Sequence, residues 1–344
     1  MWQIVGQSRI VSLLQRSMEK GALGHAYLFV GPPQVGKMTL ASNLAMALNC
    51  EGEEPPCGIC KSCQKIASDK HTDVQVISLT SNSDSGETKA RAEISIDQIR
   101  EIQHSCNLPP FEGKNKVYII DEADKLSIEA ANCLLKTLEE PAKHVVFALL
   151  TTNERLIPAT VISRCQRLEL SPVPLAEVES ALSKQHDIKP QEIKLLVRLC
   201  HGCIGWALSA AADANVLEER TQRIEKLLNM LRVDYDERFV YASELSSEFS
   251  RNREKVYYIL DLWIDWWRDM LLVKVNCPEH LINVDYVLEL TEITNNYSIT
   301  EIREIIRNIR TVKQQLAQNA NAQLALEVLM LNIPKIKRPA MKSP

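Results

Sequence analysis

The apolar positions of this chain follow two different patterns. Through the first 170 residues, short segments that predict strands, at 27–30, 74–77, 117–120, 144–150 and 166–170, alternate with segments whose apolar residues recur at helical spacing. Strands separated by helices pair in parallel and carry the helices on both faces of the sheet. This part therefore predicts an α/β domain with a parallel sheet.

Beyond the sheet region the pattern becomes helical to the end. Pro172 and Pro174 predict a linker, and the short helical stretch after them predicts a small separate domain. From about residue 214 only helical periodicity remains. We therefore expect three domains: an α/β domain at 1–170, a small helical domain at 171–213 and an all-α domain at 214–344.

Two further segments depart from these patterns. Residues 80–93 are polar and predict a surface loop, and 333–344 have the composition of a disordered basic tail.

Within the helical region Trp263, Trp266 and Trp267 share one helix face. That spacing favours core packing over a platform on which nucleic-acid bases stack.

Composition and charge narrow the class of protein. Of 344 residues, 45% are apolar and 24% charged, which is typical of a soluble globular protein. The net charge of −4 argues against a generally basic nucleic-acid binder. No secretory signal and no run long enough to span a membrane is evident. Ten cysteines in such a chain indicate a reducing, cytoplasmic location and direct attention to metal binding.

A phosphate-binding loop is predicted between the first strand and the first long helix. Gly31 and Gly36-Lys37 match the pattern G-x-x-x-x-G-K in the context strand, loop, helix. Backbone N–H groups and the helix N-terminus would face phosphate, and Lys37 would reach its outer oxygens. The next residue is Met38, where a serine or threonine would bind Mg²⁺. Thr39 comes one position late, so the loop suits phosphate better than hydrolysis.

The ends of two later strands supply candidate partners for this loop. Asp121 and Glu122 follow an apolar strand, where a nucleotide hydrolase places one carboxylate for Mg²⁺ and one to polarise water. Asn153 follows another strand and suits either a γ-phosphate contact or a turn. The candidate nucleotide-binding residues are Gly31, Gly36, Lys37, Thr39, Asp121, Glu122 and Asn153.

Four cysteines follow the first long helix at short spacing. Cys50, Cys57, Cys60 and Cys63 suit tetrahedral thiolate ligation of Zn²⁺, and Gly58 allows the tight turn that this requires. With all four positions filled, the metal would be structural. An iron–sulfur cluster is the second interpretation, although the usual downstream Cys-Pro is missing, and unligated thiols are the third.

Taken together these motifs resemble the bacterial clamp-loader subunits of DNA polymerase III, which belong to the AAA+ superfamily. The resemblance covers essentially the whole chain. It rests on the phosphate loop, the four cysteines inserted after its helix, Asp121-Glu122-Ala-Asp124, Leu138-Glu-Glu-Pro141, Thr151-Thr-Asn153 and Ser163-Arg-Cys165. It implies an AAA+ P-loop domain with a parallel sheet, a helical lid at 171–213 and a helical collar at 214–344.

Two kinds of subunit within that family are candidates for this chain. The motor subunits, gamma and tau, hydrolyse ATP, whereas the delta-prime kind offers an arginine finger to a neighbour and is usually a degenerate nucleotide binder. Met38 and Gly205 favour the delta-prime kind, because a motor protein would have a hydroxyl at the first position and an arginine at the second. Lys37, Asp121 and Glu122 are retained, so weak binding of ATP or ADP stays open.

By this resemblance the chain would act in a heteropentamer with gamma/tau and delta. The complex would open the sliding clamp and place it on primed DNA, with no role for a membrane. Arg164 would be the arginine finger that acts on the adjacent subunit's ATP, and the alternative interpretation of Arg164 is an ordinary surface arginine. The chain alone would lack ATPase activity. The alternative functions are an active gamma/tau-type motor and, more weakly, a zinc-dependent nucleic-acid binder.

Overall fold

The computed structural model describes residues 2–82, 88–90, 93–184 and 188–336. Contacts divide the chain into two compact units, Met1–Gln185 with Cys200–Ala207, and His186–Leu199 with Leu208–Pro344. The division into three domains at 170 and 213 stays a prediction. The described part of the tail ends at residue 336, so the expected disorder of 337–344 concerns residues outside the described range.

The first unit is built on a five-stranded parallel sheet in the order β2-β5-β6-β1-β7. The predicted parallel α/β fold is thereby confirmed. Its elements are α1 Ser8–Glu19, β1 Ala26–Val30, α2 Lys37–Asn49, α3 Lys61–Ala67, β2 Val74–Ile77, β3 Thr80–Asn82, β4 Thr88–Ala90, α4 Ile96–Cys106, β5 Lys116–Ile120, α5 Ile128–Glu139, β6 Val145–Thr151, α6 Ala159–Ile162, β7 Gln166–Glu169 and α7 Leu175–Leu182, with 3-10 turns at Ala123–Lys125 and Glu154–Leu156.

The central strands are buried on both faces because helices cover each side of the sheet. Alternate strand residues enter different cores: Leu28 and Phe147 join one that includes α4 and α5, and Phe29 and Ala148 join one that includes α1 and α2. Every residue of β1, β5 and β6 is buried. This explains why these strands appear in the sequence as continuous apolar runs without alternation.

The prediction of a loop at 80–93 was wrong in part. β3 and β4 form a short antiparallel pair in which Thr80 lies opposite Ala90. Backbone hydrogen bonds make this pair, and they require no apolar residues, so the hydrophobic pattern did not reveal it. Residues 83–87 and 91–92 lie outside the described range.

The second unit is helical and packs around the tryptophan face. Trp263, Trp266 and Trp267 are at most 1% exposed, so the prediction that they belong to a core is confirmed. No helix in the described ranges is long and apolar enough to cross a membrane. The remaining helices, of which α9 spans the boundary between the units, are α8 Pro190–Leu199, α9 Ile204–Ala212, α10 Ala214–Met230, α11 Tyr235–Arg251, α12 Arg253–Lys274, α13 Val287–Thr294, α14 Ile299–Ala317 and α15 Ala322–Asn332, with a 3-10 turn at Pro278–His280.

Candidate nucleotide loop, arginine and cysteine cluster

The predicted phosphate loop lies at the carboxyl edge of the sheet, where the strands end. Gly31 directly follows β1, and its N–H donates to the carbonyl of Thr151 at the end of β6 over 3.2 Å. A Cβ at Gly31 would come within 2.6 Å of the Leu170 carbonyl oxygen, so only glycine fits there. Gly36 caps the N-terminus of α2 with a φ of 106°, a conformation that favours glycine. The two glycines therefore allow the tight backbone that the motif predicts, and phosphate binding by the loop stays a prediction.

Lys37 is buried and turned onto its own loop. Its Nζ donates to the carbonyl oxygens of Gly31 and Pro32, both at 2.7 Å. Burial lowers the pKa of Lys37, and the nearby carboxylates of Asp121 and Asp124 offset part of that effect. Because the ammonium group is already bound by two carbonyls, a phosphate would have to compete with them for this lysine.

The two residues after Lys37 differ from the motif, which has a Mg²⁺-binding hydroxyl directly after the lysine. Met38 is half-buried and packs against the core on the α1 and α2 side of the sheet. Thr39 is exposed, one helix position further round. The presence of methionine where the motif has serine or threonine therefore removes the hydroxyl from the position that follows the lysine.

The carboxylates predicted at the end of β5 adjoin the same edge. Asp121 Oδ1 accepts a hydrogen bond from the N–H of Glu122 at 3.0 Å, and Glu122 has a φ of 49°. Asp124 Oδ1 accepts from Thr151 Oγ1 at 2.6 Å. The sequence motif pointed to Asp121 and Glu122, whereas the link from Asp124 to the neighbouring strand could be seen only in the structure.

Asn153 also lies at this edge, but its side chain is engaged locally. Its N–H donates to Thr151 Oγ1 at 3.0 Å, and its Oδ1 accepts from the N–H of Arg155 at 3.2 Å. That second bond caps the 3-10 turn Glu154–Leu156. The structure thus shows the turn role, and a phosphate contact stays a prediction.

A second segment of the same unit lies directly on the loop. The N–H of Gly205 donates to the carbonyl of Gln34 at 2.9 Å, and a Cβ at Gly205 would lie 2.8 Å from that oxygen. Cys203 is near enough to Lys37 to influence its pKa. Position 205 therefore makes a backbone contact in which a side chain does not fit.

Arg164 lies at the opposite, amino edge of the sheet, two residues before β7. Its Nη2 donates to Glu139 Oε1 at 2.5 Å, and its Nη1 donates to the Thr160 carbonyl at 2.8 Å and to Ser163 Oγ at 3.3 Å. The Arg164 side chain is 34% exposed. It is therefore held by its own chain and still accessible from outside.

The strand register separates Arg164 from the chain's own phosphate loop. Gln166 is level with Tyr27, and Gly31 lies four residues further along β1. At about 3.3 Å per residue, four residues span about 13 Å. Arg164 begins still further toward the amino edge and turns to Glu139, at the end of α5, so it does not serve this loop.

The four cysteines meet as the sequence predicts. All their Sγ atoms lie within 4.8 Å of one another, and tetrahedral bonds of about 2.3 Å place thiolates about 3.8 Å apart. The N–H groups of Cys60 and Ile59 donate to Cys57 and lower the pKa of its thiol to about 6. Burial raises the pKa of Cys63 to about 12, so a cation is needed to hold it as a thiolate. The cluster has the composition of a closed metal site.

This cluster is tied to the amino edge of the sheet. Cys50 follows the C-terminus of α2, and Lys114 Nζ donates to its carbonyl at 2.7 Å. Asn49 Oδ1 accepts from the N–H groups of Lys114 and Asn115. The segment that precedes β5 thereby attaches the start of residues 50–63, the cysteine module, to the sheet.

A buried carboxylate orders the same segment. Asp73 is 4% exposed and accepts from the N–H groups of Phe111, Glu112 and Gly113 at 2.7–2.8 Å. Burial alone would raise its pKa, but these hydrogen bonds hold the pKa of Asp73 below its usual value. No pattern in the sequence indicated this role, because a single aspartate before a strand has many possible functions.

Two family models match this chain. One, described as DNA polymerase III, delta subunit, matches residues 6–174. The other, described as DNA polymerase III, delta subunit, C terminal, matches residues 214–335. Together they take in the parallel sheet with its loop, cysteines and arginine, and most of the helical region.

Similar individual proteins include more than one kind of subunit. DNA polymerase III subunit delta' of Bacillus subtilis is 29% identical over 94% of this chain and 95% of its own length. DNA polymerase III subunit tau of Escherichia coli is 33% identical over 67% of this chain, which spans only 36% of tau. A solved gamma subunit-related protein of Thermotoga maritima is 19% identical over 95% of this chain and 99% of its own, with a TM-score of 0.44.

Proposed function

The chain belongs to the DNA polymerase III clamp-loader family, and from that premise we propose that it is a delta-prime-like subunit. In this role it supplies Arg164 in trans to the ATP site of a neighbouring subunit. The guanidinium stabilises the charge that develops on the transferred phosphoryl group, a contribution of about 10³–10⁵ in rate. The ATP is therefore hydrolysed in the neighbour's site.

The observation that carries this proposal is the separation between Arg164 and the chain's own phosphate loop. The loop follows the carboxyl end of β1, whereas Arg164 precedes the amino end of β7, and these strands are parallel neighbours. An arginine that is partly exposed at the far edge of the sheet is available to another subunit and out of reach of its own loop. This accessible position supports the finger role of Arg164 over that of an ordinary surface arginine.

The chain's own loop supports a site that binds nucleotide weakly or not at all. Lys37 is held by two loop carbonyls, Met38 has no hydroxyl, and Gly205 brings backbone where a motor protein has an arginine. ATP or ADP would bind through Gly31, Gly36, Lys37 and Thr39, with Asp121, Glu122 and Asn153 beside them. Without the Mg²⁺ hydroxyl we expect little hydrolysis.

The partners follow from the relatives. We assign the chain to a heteropentamer with gamma/tau and delta subunits, which opens the sliding clamp and places it on primed DNA. In this assignment residues 1–170 carry the arginine, 171–213 form the lid and 214–344 form the collar that holds the subunits together. The family model that matches 214–335, the C-terminal model of the delta family, supports the last part.

We assign the metal of the cysteine cluster as Zn²⁺. Cys50, Cys57, Cys60 and Cys63 supply four thiolates, a set that structural zinc sites share. No coordination position is left for substrate, so the ion stabilises the module and takes no part in chemistry.

The test is an Arg164→Ala variant in the reconstituted complex. We expect DNA-stimulated ATP hydrolysis to fall by about 10³-fold while the complex still assembles, as measured by steady-state turnover and size-exclusion chromatography. Arg16→Ala, which removes an exposed arginine of α1, serves as the matched control and should change turnover little. Unchanged turnover in Arg164→Ala would refute the finger role.

A second candidate is a self-sufficient motor of the gamma/tau type. It is favoured by the proximity of Lys37 to Asp121 and Asp124, the charges that an ATPase site combines. ATP turnover by the purified chain that Lys37→Ala abolishes would establish it. No turnover, either alone or in a complex whose other sites are disabled, would eliminate it.

A further inference from the structure

The C-terminus of α5 carries two acidic residues where helices prefer basic ones. Glu139 is its last residue and Glu140 its C-cap. A helix C-terminus bears partial negative charge, so carboxylates there are unfavourable unless a cation offsets them. Arg164 Nη2 donates to Glu139 Oε1 at 2.5 Å, and Glu139 thus has the cation that its position requires.

The same contact fixes how the guanidinium is presented. Arg164 has five N–H donors. Nη1 donates to the Thr160 carbonyl and to Ser163 Oγ, and one N–H on Nη2 donates to Glu139. Within the described residues the N–H on Nε and the second on Nη2 make no hydrogen bond. A planar guanidinium held on three sides thus keeps two donors for an oxyanion.

From this geometry we infer that Glu139 is the positioning residue for Arg164, an inference that rests on the proposed function. An exposed arginine samples many rotamers, and ordering one of them on contact with phosphate weakens the interaction. The hydrogen bond to Glu139 restricts the rotamers of Arg164 before the neighbouring subunit binds. Glu139 itself is 51% exposed and need not touch the nucleotide.

The experiment compares Glu139→Gln with Glu140→Gln in the reconstituted complex. Glu140 is the adjacent exposed carboxylate on the same helix end, so Glu140→Gln is the matched control. We expect Glu139→Gln to lower kcat for DNA-stimulated ATP hydrolysis about two- to fivefold, because partly exposed ion pairs are modest in strength. KM for ATP should not change, Glu140→Gln should match the wild type, and Glu139→Asp should recover part of the loss.

A double variant separates positioning from a general structural effect. If Glu139 acts through Arg164, then Glu139→Gln should cause no further loss in an Arg164→Ala background. An equal loss in both backgrounds, or an increase in kcat with Glu139→Gln, would overturn the inference. If Arg164→Ala itself leaves turnover unchanged, the proposed function fails. If Arg164→Ala lowers turnover but Glu139→Gln does not, only the role of Glu139 fails.

Discussion

The two edges of one sheet have opposite relations to their surroundings. At the carboxyl edge, the cation of the phosphate loop is buried and bound by the carbonyls of Gly31 and Pro32, and Gly205 packs backbone onto the loop. At the amino edge, Arg164 is anchored by Glu139 yet remains partly exposed. The positive charge at the carboxyl edge is bound by carbonyls of its own loop, whereas the positive charge at the amino edge remains partly accessible to solvent.

This contrast supports the proposal that the chain keeps the phosphate-loop motif without a hydrolytic function. Glycine is required both in the loop and in the segment that lies on it, because backbone contacts at Gly31 and at Gly205 leave no room for side chains. These packing contacts explain why both positions are glycine without reference to a bound nucleotide. Arg164, by contrast, is held by hydrogen bonds and remains 34% exposed, which supports its proposed role toward a neighbouring subunit.

The largest predicted effect is the loss of bound metal when a cysteine of the module at the amino edge is replaced. We expect one Zn²⁺ per chain in the wild type and almost none in Cys60→Ser, because a structural site contributes about 10–16 kcal/mol of apparent binding free energy and depends on all its ligands. Elemental analysis of protein purified without chelator measures this. Cys277→Ser, which changes a cysteine outside the cluster, should keep its metal.

The same variant shows whether the two edges depend on each other. Because the parallel sheet has large cores of its own on both faces, we expect amide exchange to rise in 50–66 and 111–115 and not in β6. Faster exchange throughout the sheet would contradict a local role for the metal. Iron in the wild-type protein, or no metal, would overturn the zinc assignment.

A smaller effect, a loss of folding stability, is expected when a side chain is introduced at the carboxyl edge. Gly205→Ala places a Cβ 2.8 Å from the Gln34 carbonyl oxygen, and overpacking of this kind costs about 1–3 kcal/mol. The melting temperature should fall by about 2–8 °C, as measured by calorimetry. Gly24→Ala is the matched control, because its Cβ would meet only ordinary contacts at 3.4 Å. Equal melting temperatures for the two variants would show that the segment at 205 does not rest on the loop.

Gly205→Arg separates the effect of charge from the effect of space at the same edge. If the missing arginine were the only defect of this site, restoring it would increase ATP binding. We expect no such increase, because the arginine brings the same Cβ clash, and a nucleotide titration should show no gain in affinity over the wild type. A gain in affinity would mean that charge alone distinguishes this edge from an active one.

The sequence predicted the strands, the phosphate loop and the cysteine cluster because each has a local pattern. Continuous apolar runs predict buried parallel strands, and the spacing of Cys57, Cys60 and Cys63 predicts shared ligation. The bond between Glu139 and Arg164 joins residues 25 positions apart, and no periodicity encodes it. The order of strands likewise depends on long-range packing, so the opposite location of the arginine became evident only in three dimensions.

A modest loss of stability that depends on pH is expected at Asp73. Asp73→Asn removes the charge that accepts three backbone N–H groups near the cysteine module, and we expect a loss of about 1–3 kcal/mol at pH 7. The folded-state pKa of Asp73 is depressed, so the stability it supplies is present above the unfolded value of about 3.9 and is lost as pH falls through the folded pKa. The difference between wild type and variant should therefore shrink below about pH 4.

Denaturant unfolding at several pH values measures this difference. Asp69→Asn is the control, because Asp69 is exposed and has a φ of 54°, which asparagine tolerates. Its effect should stay within about 0.5 kcal/mol at every pH. If Asp73→Asn instead cost the same at pH 3 as at pH 7, hydrogen-bond geometry and not charge would order the segment 111–113. The amino edge would then owe its order to backbone packing, as the carboxyl edge does at Gly31 and Gly205.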